Sequence, residues 1–336
     1  MTGPRHSRRE SRHARPKVVL VFAGILLAGC TSTAGHLAHR APATPASGSA
    51  ARPTAVSSTT STSTTAAAGP ARTCGRVPTP SAHDEHVVWV WMENHSWGQV
   101  IGSPDAPYLT SLARQCGTDD HDAAVGSPSL PNYLGATSGS TQGVTDDADP
   151  GAHSFGADNL FRQVRTAGGT ERSFVESMPA ACTPVSAGEY AAKHNPAVYY
   201  DGPGDAAACA ADDLPFGDFA AMLASGMLPT FTSITPNICD DMHDCSVATG
   251  DQWLATWLPR IFATASYRSG TTAVFVVWDE PTPVADVVVA PSVRPGTVSS
   301  SPVDHYSLLR TTEELLGLPL LGRAATAASM RAALNL

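Results

Sequence analysis

The hydrophobic pattern of this chain is dominated by two continuous apolar runs, at residues 86–92 and 272–278. A run of strand length that is apolar at every position, without alternation, is typical of a parallel strand covered on both faces. Shorter apolar stretches at 173–177, 230–235 and 286–290 predict three further strands. The pattern therefore predicts a sheet whose two strongest strands are completely buried.

Helical spacing of apolar residues fills the segments between these strands. It predicts helices at 106–116, 219–225, 252–266 and 307–316, whereas the segment 182–216 is rich in loop-forming residues. Strands that alternate with helices indicate an α/β fold with a central, mostly parallel sheet between helices. The length of this part of the chain suits one large domain, which we favour, or two small ones.

The first 72 residues do not share this pattern. Residues 1–29 combine a basic start with a short apolar run, which predicts a secretory signal peptide. Its end, Leu27-Ala28-Gly29-Cys30, matches the bacterial lipobox, in which Cys30 becomes the lipidated first residue; a simple signal peptide with a chance cysteine is the alternative. Residues 30–72 are nearly all Ala, Ser, Thr, Pro and Gly and predict a disordered tether. The folded domain is therefore predicted at 73–336, lipid-anchored outside the cell membrane or secreted.

Charge and cysteine content agree with export. Residues 1–29 hold six basic residues and one acidic residue, so 15 basic and 29 acidic residues remain, a net charge of −14. No basic patch remains to bind a polyanion, so we expect no nucleic-acid partner. We also expect a monomer. Six cysteines follow Cys30, and an even set in an exported protein indicates disulfides. Pairing between neighbours predicts Cys74–Cys116, Cys182–Cys209 and Cys239–Cys245; a zinc cluster is the alternative.

Each of the two strong strands is followed at once by a pair of oxygen ligands. Glu93 and Asn94 follow the first, and Asp279 and Glu280 follow the second. Because parallel strands end at the same edge of a sheet, the four side chains can converge on one cation. Carboxylate and amide oxygens favour calcium, magnesium or manganese over zinc. The alternative for either pair is a solvated turn.

A hydroxyl lies at a predicted helix start between these pairs. Pro131 suits a first helical turn, which puts Ser129 near the N-cap, and Gly139 is a plausible stop. A hydroxyl there faces unpaired N–H groups and the positive end of the helix dipole, where a phosphoryl group would be held. The alternatives are an ordinary serine N-cap and a nucleophilic role for Ser127.

Four ordered motifs resemble the bacterial phosphoesterase family, which contains acid phosphatases and C-type phospholipases on an alkaline-phosphatase-like fold. They are Met92-Glu93-Asn94-His95-Ser96, Ser129-Leu130-Pro131-Asn132-Tyr133, Trp278-Asp279-Glu280 and the run that begins Asp304-His305-Tyr306. Lys193-His194-Asn195-Pro196 and Asp241-Met242-His243-Asp244 are also similar to the family. The resemblance covers roughly the whole folded part and implies a three-layer sandwich with a metal at the carboxyl edge of the sheet.

The resemblance also implies roles for individual residues. Glu93, Asn94, Asp279 and Glu280 would bind one divalent cation, and Ser129 would be the nucleophile that forms a phosphoserine. His243 and His305 would contact phosphate oxygens or protonate the leaving group. The implied substrate contacts are Asn132, His194 and Asp241, and a buried structural role is the alternative for His194.

Three functions remain open from the sequence. The first is an exported phosphomonoesterase, an acid phosphatase acting on small phosphoesters or on lipid phosphates such as phosphoinositides. The second is a phosphodiesterase of the phospholipase C type. The third, from another class, is a non-catalytic surface lipoprotein that binds a ligand in the same cleft.

Overall fold

The computed structural model describes residues 72–336. The predicted signal peptide, the lipidated Cys30 and the tether up to residue 71 lie outside the described residues. Within residues 72–336, no helix is both long enough and apolar enough to span a bilayer.

Ten strands occur in the described chain. They are β1 His86–Met92, β2 Gly117–Asp119, β3 Asp122–Ala123, β4 Glu171–Val175, β5 Asp213–Pro215, β6 Phe231–Thr235, β7 Thr272–Trp278, β8 Asp286–Val289, β9 Thr297–Ser299 and β10 Val303–Asp304. Eight of them form one sheet in the order β5-β4-β6-β1-β7-β8-β2-β9, and β10 pairs separately with β3. Within the large sheet, only β8 runs antiparallel to its neighbours.

Ten α-helices connect these strands. They are α1 Trp97–Val100, α2 Pro107–Gln115, α3 Ser129–Ser138, α4 Leu160–Thr166, α5 Asp205–Asp212, α6 Gly217–Ser225, α7 Val247–Phe262, α8 Ala265–Ser269, α9 His305–Leu316 and α10 Arg331–Leu334. Three short 3-10 helices, Ala192–His194, Pro196–Tyr199 and Gly322–Ala325, complete the set.

The central strands have the burial that their composition predicts. Every residue of β1 and of β7 is buried, and the two strands pair in parallel with Met92 opposite Trp278. The residues that follow, Glu93 and Asp279, therefore leave the sheet side by side at its carboxyl edge. This confirms the α/β prediction with a mostly parallel central sheet.

Two helix contacts show how the layers are held. Trp89 in β1 donates its indole N–H to the Thr312 hydroxyl of α9 at 3.0 Å, so α9 lies against the centre of the sheet. The Asp251 carboxylate of α7 accepts from the backbone N–H groups of Tyr108 and Leu109, at 3.0 and 2.8 Å. A carboxylate at the N-terminus of a helix satisfies otherwise unpaired donors and interacts favourably with the helix dipole.

Most predicted elements have the expected type, with three differences. The strand predicted at 286–290 is β8 and runs antiparallel, and the helix predicted at 252–266 is two helices, α7 and α8. The predicted loop at 182–216 contains α5 and β5. The alanine-rich sequence of α5, DAAACAAD, has high helix propensity but little apolar bulk, which explains why the hydrophobic pattern missed it.

The six cysteines of the domain form three disulfides. They join Cys74 to Cys116, Cys182 to Cys209 and Cys239 to Cys245. The predicted neighbour pairing is confirmed, and the alternative of a zinc cluster built from these cysteines is wrong because their sulfurs are bonded to one another.

One buried acid lies away from the carboxyl edge of the sheet. Glu313 in α9 is fully buried, and its Oε1 accepts from the backbone N–H of Leu321 at 2.9 Å. Its Oε2 and the side-chain oxygen of nearby Gln163 both lack hydrogen-bond partners. Burial raises the pKa of Glu313 from 4.5 to about 8. A protonated Glu313 avoids the cost of a buried charge.

We expect the Glu313→Gln variant to be more stable than the wild type at pH 8, by a margin that shrinks towards pH 5. The folded wild type keeps the Glu313 proton up to about pH 8, whereas the unfolded chain releases it near 4.5. This group therefore lowers the free energy of unfolding as pH rises between these values. The glutamine side chain of the variant does not ionise, so its stability has no such dependence on pH, and it keeps both a hydrogen-bond donor and an acceptor.

Chemical denaturation of both proteins at several pH values measures this difference. Glu314→Gln is the matched control, because the adjacent Glu314 is partly exposed and pairs with Arg310 at 2.8 Å. A difference between wild type and Glu313→Gln that does not vary with pH would contradict a protonated Glu313.

Candidate active site

The oxygen ligands predicted after the two central strands meet at the carboxyl edge. Glu93 and Asp279 are fully buried, and the backbone N–H of Asn94 lies 3.3 Å from Asp279 Oδ1. Asn94 has a φ of 48°, in the left-handed region that asparagine tolerates better than most residues. This conformation turns its side chain back between the two carboxylates.

The environment of the Asn94 amide fits a cation. The amide oxygen lies against Glu93 Oε2 and Asp279 Oδ1, at 3.0 and 3.1 Å, without a donor between them. Three oxygens that face one another in this way are stabilised either by a cation or by turning the amide so that its nitrogen donates to both carboxylates. Asp279 Oδ2 is also buried without a partner. The donor set suits a hard divalent cation.

The fourth predicted ligand has a different position. Glu280 is partly exposed, and no side-chain hydrogen bond joins it to Glu93, Asn94 or Asp279 in the described structure. Glu93, Asn94 and Asp279, whose oxygens face one another, therefore form the centre of the candidate metal site, and Glu280 lies beside it.

Ser129 contacts this centre directly. Its hydroxyl, almost fully buried, donates to Glu93 Oε2 at 3.2 Å. Ser129 is the first residue of α3 and Pro128 is the N-cap, so the predicted helix start is displaced by one residue; Gly139 ends the helix as predicted, with a φ of 68°. The hydroxyl therefore combines a helix N-terminus with a neighbouring carboxylate.

The residues around Ser129 hold it in place. Tyr133, one turn later in α3, donates its hydroxyl to Glu93 Oε1. Asn132 accepts from the backbone N–H groups of Val125 and Gly126 at 2.9 Å and donates to the Gly126 carbonyl. These bonds fix the loop before Ser129, so the described contacts give Asn132 a positioning role. Ser127 in that loop is exposed.

A buried histidine joins Glu93 to a further carboxylate. His194 Nε2 lies 3.3 Å from Glu93 Oε1, and its Nδ1 lies 3.3 Å from Asp241 Oδ2. Both neighbours and the imidazole are almost completely buried. The backbone N–H of Glu93 also donates to the Asp241 carbonyl at 2.8 Å. Asp241 and His194 therefore belong to the same cluster as Glu93.

The two remaining histidines have different surroundings. The His243 side chain is about one-quarter exposed. One of its ring nitrogens, one carboxylate oxygen of Glu93 and one ring nitrogen of His194 all lie within 4.8 Å of one another. His305 is buried, its Nε2 lies 3.0 Å from the Trp278 carbonyl, and its ring stacks on Trp91. His243 therefore faces the site, whereas the described contacts of His305 lie beneath it.

Burial controls the ionisation of the cluster. It raises the pKa of Asp279 to about 6 and that of Asp241 to about 7. The pKa of Glu93 is raised further, first by burial and then by the charges of Asp279 and Asp241. Burial lowers the pKa of His194 well below its ordinary value. A bound cation would favour the charged form of these carboxylates and so lower their pKa values.

Three residues of the site were not assigned roles from the sequence. Tyr133 and Lys193 stand inside the recognised motifs, and Asp147 stands outside them. Lys193 pairs with Asp147 at 2.9 Å. For Lys193 the sequence did offer a signal, because it is the only lysine after residue 17.

The fold and the site define the class of protein. A protein of the alkaline phosphatase superfamily from Vibrio parahaemolyticus has the same fold, with a TM-score of 0.52 and 12% identity over 76% of this chain and 73% of its own. The sequence profile of the Phosphoesterase family matches residues 103–292. The chain belongs to the phosphoesterase family, and it is an enzyme that hydrolyses phosphoric esters.

Named relatives agree with this class. A phosphatidylinositol-3-phosphatase of Mycobacterium tuberculosis is 35% identical over 248 residues, which cover 72% of this chain and 80% of the relative. An acid phosphatase of Aspergillus fumigatus is 27% identical over 254 residues, 70% of this chain. The match spans 55% of the fungal protein's length.

Proposed function

We propose that this protein is an exported, divalent-cation-dependent phosphomonoesterase that works through a phosphoserine on Ser129. The observation that carries the proposal is the position of the Ser129 hydroxyl. Ser129 begins helix α3, and its hydroxyl donates at 3.2 Å to Glu93. Glu93 is one of three oxygen ligands that face one another, of which Glu93 and Asp279 are fully buried and Asn94 is partly buried.

The proposed reaction has two displacements at phosphorus. Ser129 Oγ releases its proton to solvent and attacks the phosphorus atom, the bond to the ester oxygen breaks, and the leaving alcohol oxygen takes up a proton. Water then attacks the phosphoserine, which releases inorganic phosphate and restores the hydroxyl. Glu93, Asn94 and Asp279 would hold the cation, which supplies charge neutralisation for the transferring group.

The surrounding side chains have separate tasks in this proposal. Tyr133 and His194 fix the Glu93 carboxylate from two sides, and Asp241 fixes His194. His243, partly exposed at the rim, is the candidate donor of the proton to the leaving alcohol. His305 supports the floor of the site through the Trp278 carbonyl.

A lipid phosphomonoester is the substrate that we favour. The relative from M. tuberculosis is named for phosphatidylinositol 3-phosphate, and it matches this chain over more of both lengths than the fungal acid phosphatase does. A small soluble phosphomonoester is the second candidate. Turnover of phosphatidylinositol 3-phosphate, a soluble aryl phosphate and phosphatidylcholine separates these two candidates from phospholipase C activity.

Exhaustive chelation should abolish turnover, and calcium, magnesium or manganese should restore it better than zinc. The three facing ligands offer only oxygen atoms, which hard cations prefer. Elemental analysis of the purified protein and add-back of each cation measure this. Full activity in a metal-free sample would refute the cation, and restoration by zinc alone would favour the ligand group of Glu93, His194 and His243.

Ser129→Ala should lower kcat by at least about 10³-fold, because a missing nucleophile removes the covalent route. The fold should survive, since loss of one hydrogen bond to a carboxylate costs about 1.5–3 kcal/mol, less than the stability of a typical domain. Ser127→Ala is the control, and its activity should stay near that of the wild type because Ser127 is exposed.

Acid quenching during turnover of labelled substrate locates the phosphoryl group. The label is expected on the peptide that contains Ser129 and should be absent from the Ser129→Ala variant. A label on Ser127, or substantial turnover by Ser129→Ala, would show that the assignment of the nucleophile is wrong.

The proposal also includes the location of the enzyme. Three disulfides agree with an oxidising compartment, and the lipobox ending at Cys30 predicts an anchor. Replacing Cys30 with alanine should move the protein from the membrane fraction to the soluble fraction, with phosphatase activity unchanged. Membrane attachment that persists in Cys30→Ala would argue against lipidation.

A further inference from the structure

One positively charged side chain of the site, that of Lys193, has no role in the chemistry described above. Lys193 lies in the 3-10 helix Ala192–His194, directly before the buried His194, and its side chain is about one-fifth exposed. Its Nζ lies 2.9 Å from Asp147 Oδ2 and 3.5 Å from His243 Nε2. The ammonium therefore sits beside the histidine that faces the candidate metal ligands.

The partner of Lys193 connects it to the proposed nucleophile. The other oxygen of Asp147, Oδ1, accepts from the backbone N–H of Leu130 at 3.0 Å. Leu130 follows Ser129 immediately and belongs to the first turn of α3. One carboxylate thus bridges a lysine and a helix N-terminal amide, one residue away from the nucleophile.

This arrangement has the chemistry of a phosphoryl subsite. A phosphoryl group on Ser129 presents anionic oxygens at the positive end of α3. Asp147 accepts from the Leu130 amide and pairs with Lys193, so the ammonium is tethered to the residue that follows Ser129. Glu93, Asp279 and Asp241 crowd the site with negative charge, so an incoming phosphate gains from a fixed cation there.

An ordinary surface ion pair is a poorer account of these contacts. Such pairs contribute little to stability and seldom reach a reaction centre. Here the ammonium lies 3.5 Å from His243, which faces the candidate metal ligands. Its ion-pair partner, Asp147, accepts from the first turn of the helix that begins with Ser129.

On the basis of the proposed phosphatase function, we infer that Lys193 binds an oxygen of the substrate phosphoryl group and that Asp147 positions it. Lys193 is then a substrate-binding residue that recognises the negative charge of the phosphoryl group at the rim of the site. Asp147 acts through Lys193 and the Leu130 amide and does not touch the substrate.

The test compares phosphate binding in four full-length variants with the wild type. Lys193→Gln removes the charge, Lys193→Arg keeps it, and Asp147→Asn keeps an acceptor for Leu130 but loses the ion pair. Arg172→Gln is the matched control, because Arg172 is a partly exposed cation paired with Asp212 near the amino end of β4. Thermal unfolding checks that all variants are folded.

We expect the Lys193→Gln variant to bind inorganic phosphate and vanadate about 10- to 100-fold more weakly, the range for loss of one charge-assisted hydrogen bond. Its KM for a phosphomonoester should rise by a similar factor, with a smaller effect on kcat. Lys193→Arg should recover most of the affinity, and Asp147→Asn should fall between Lys193→Gln and the wild type. Arg172→Gln should match the wild type.

A second readout does not depend on turnover. Because Lys193 is the only lysine after residue 17, amine acylation followed by peptide mass spectrometry reports on it selectively. Saturating phosphate should protect Lys193 from acylation in the wild type. The same protection should weaken in Asp147→Asn, where the ammonium loses its tether.

The outcomes separate this inference from the proposed function. If the wild type is an active phosphatase but Lys193→Gln binds phosphate normally and phosphate gives no protection, Lys193 is a structural ion-pair partner and the inference is wrong. If the wild type lacks phosphatase activity, the proposed function fails, while calorimetric phosphate binding by wild type and Lys193→Gln still decides the role of Lys193.

Discussion

The parallel pairing of β1 with β7 is the constraint on which the site depends. Met92 lies opposite Trp278, so the next residue of each strand, Glu93 and Asp279, enters the same buried volume. A register shift of one residue would turn one of these side chains to the other face of the sheet. The apolar faces of both strands, buried along their whole length, fix the register and thereby place two carboxylates together.

That placement has an electrostatic cost that the surrounding structure offsets only in part. Each buried carboxylate loses several kcal/mol of solvation, by order of magnitude. Tyr133 and Ser129 donate to Glu93, and the Asn94 backbone lies near Asp279, but Asp279 Oδ2 has no partner in the described residues. Charge that remains uncompensated inside a well-packed fold is characteristic of a functional site.

The sequence predicted those parts of the molecule that follow from local chemistry. Fully apolar runs identified β1 and β7, and the meeting of Glu93, Asn94 and Asp279 at their ends followed from the geometry of parallel sheets. Neighbouring cysteines paired as expected. The direction of β8 was not predictable, because an apolar run has the same composition whether it lies parallel or antiparallel to its neighbour. The Cys239–Cys245 loop carries Asp241, yet its approach to His194 depends on tertiary folding.

The contacts around Ser129 could not be predicted from the sequence for a similar reason. Asp147 and Lys193 are separated by 46 positions in the sequence, and neither lies next to a strong strand. Each alone reads as a solvated charge, and only the folded chain brings Asp147 to the Leu130 amide and Lys193 to Asp147. A phosphoryl group needs donors and cations on several sides at once, whereas a strand end supplies ligands from one direction only. In the proposed site, the sheet edge supplies the candidate cation ligands, whereas recognition of the phosphoryl group would come from the separate segments that carry Asp147 and Lys193 to the start of α3.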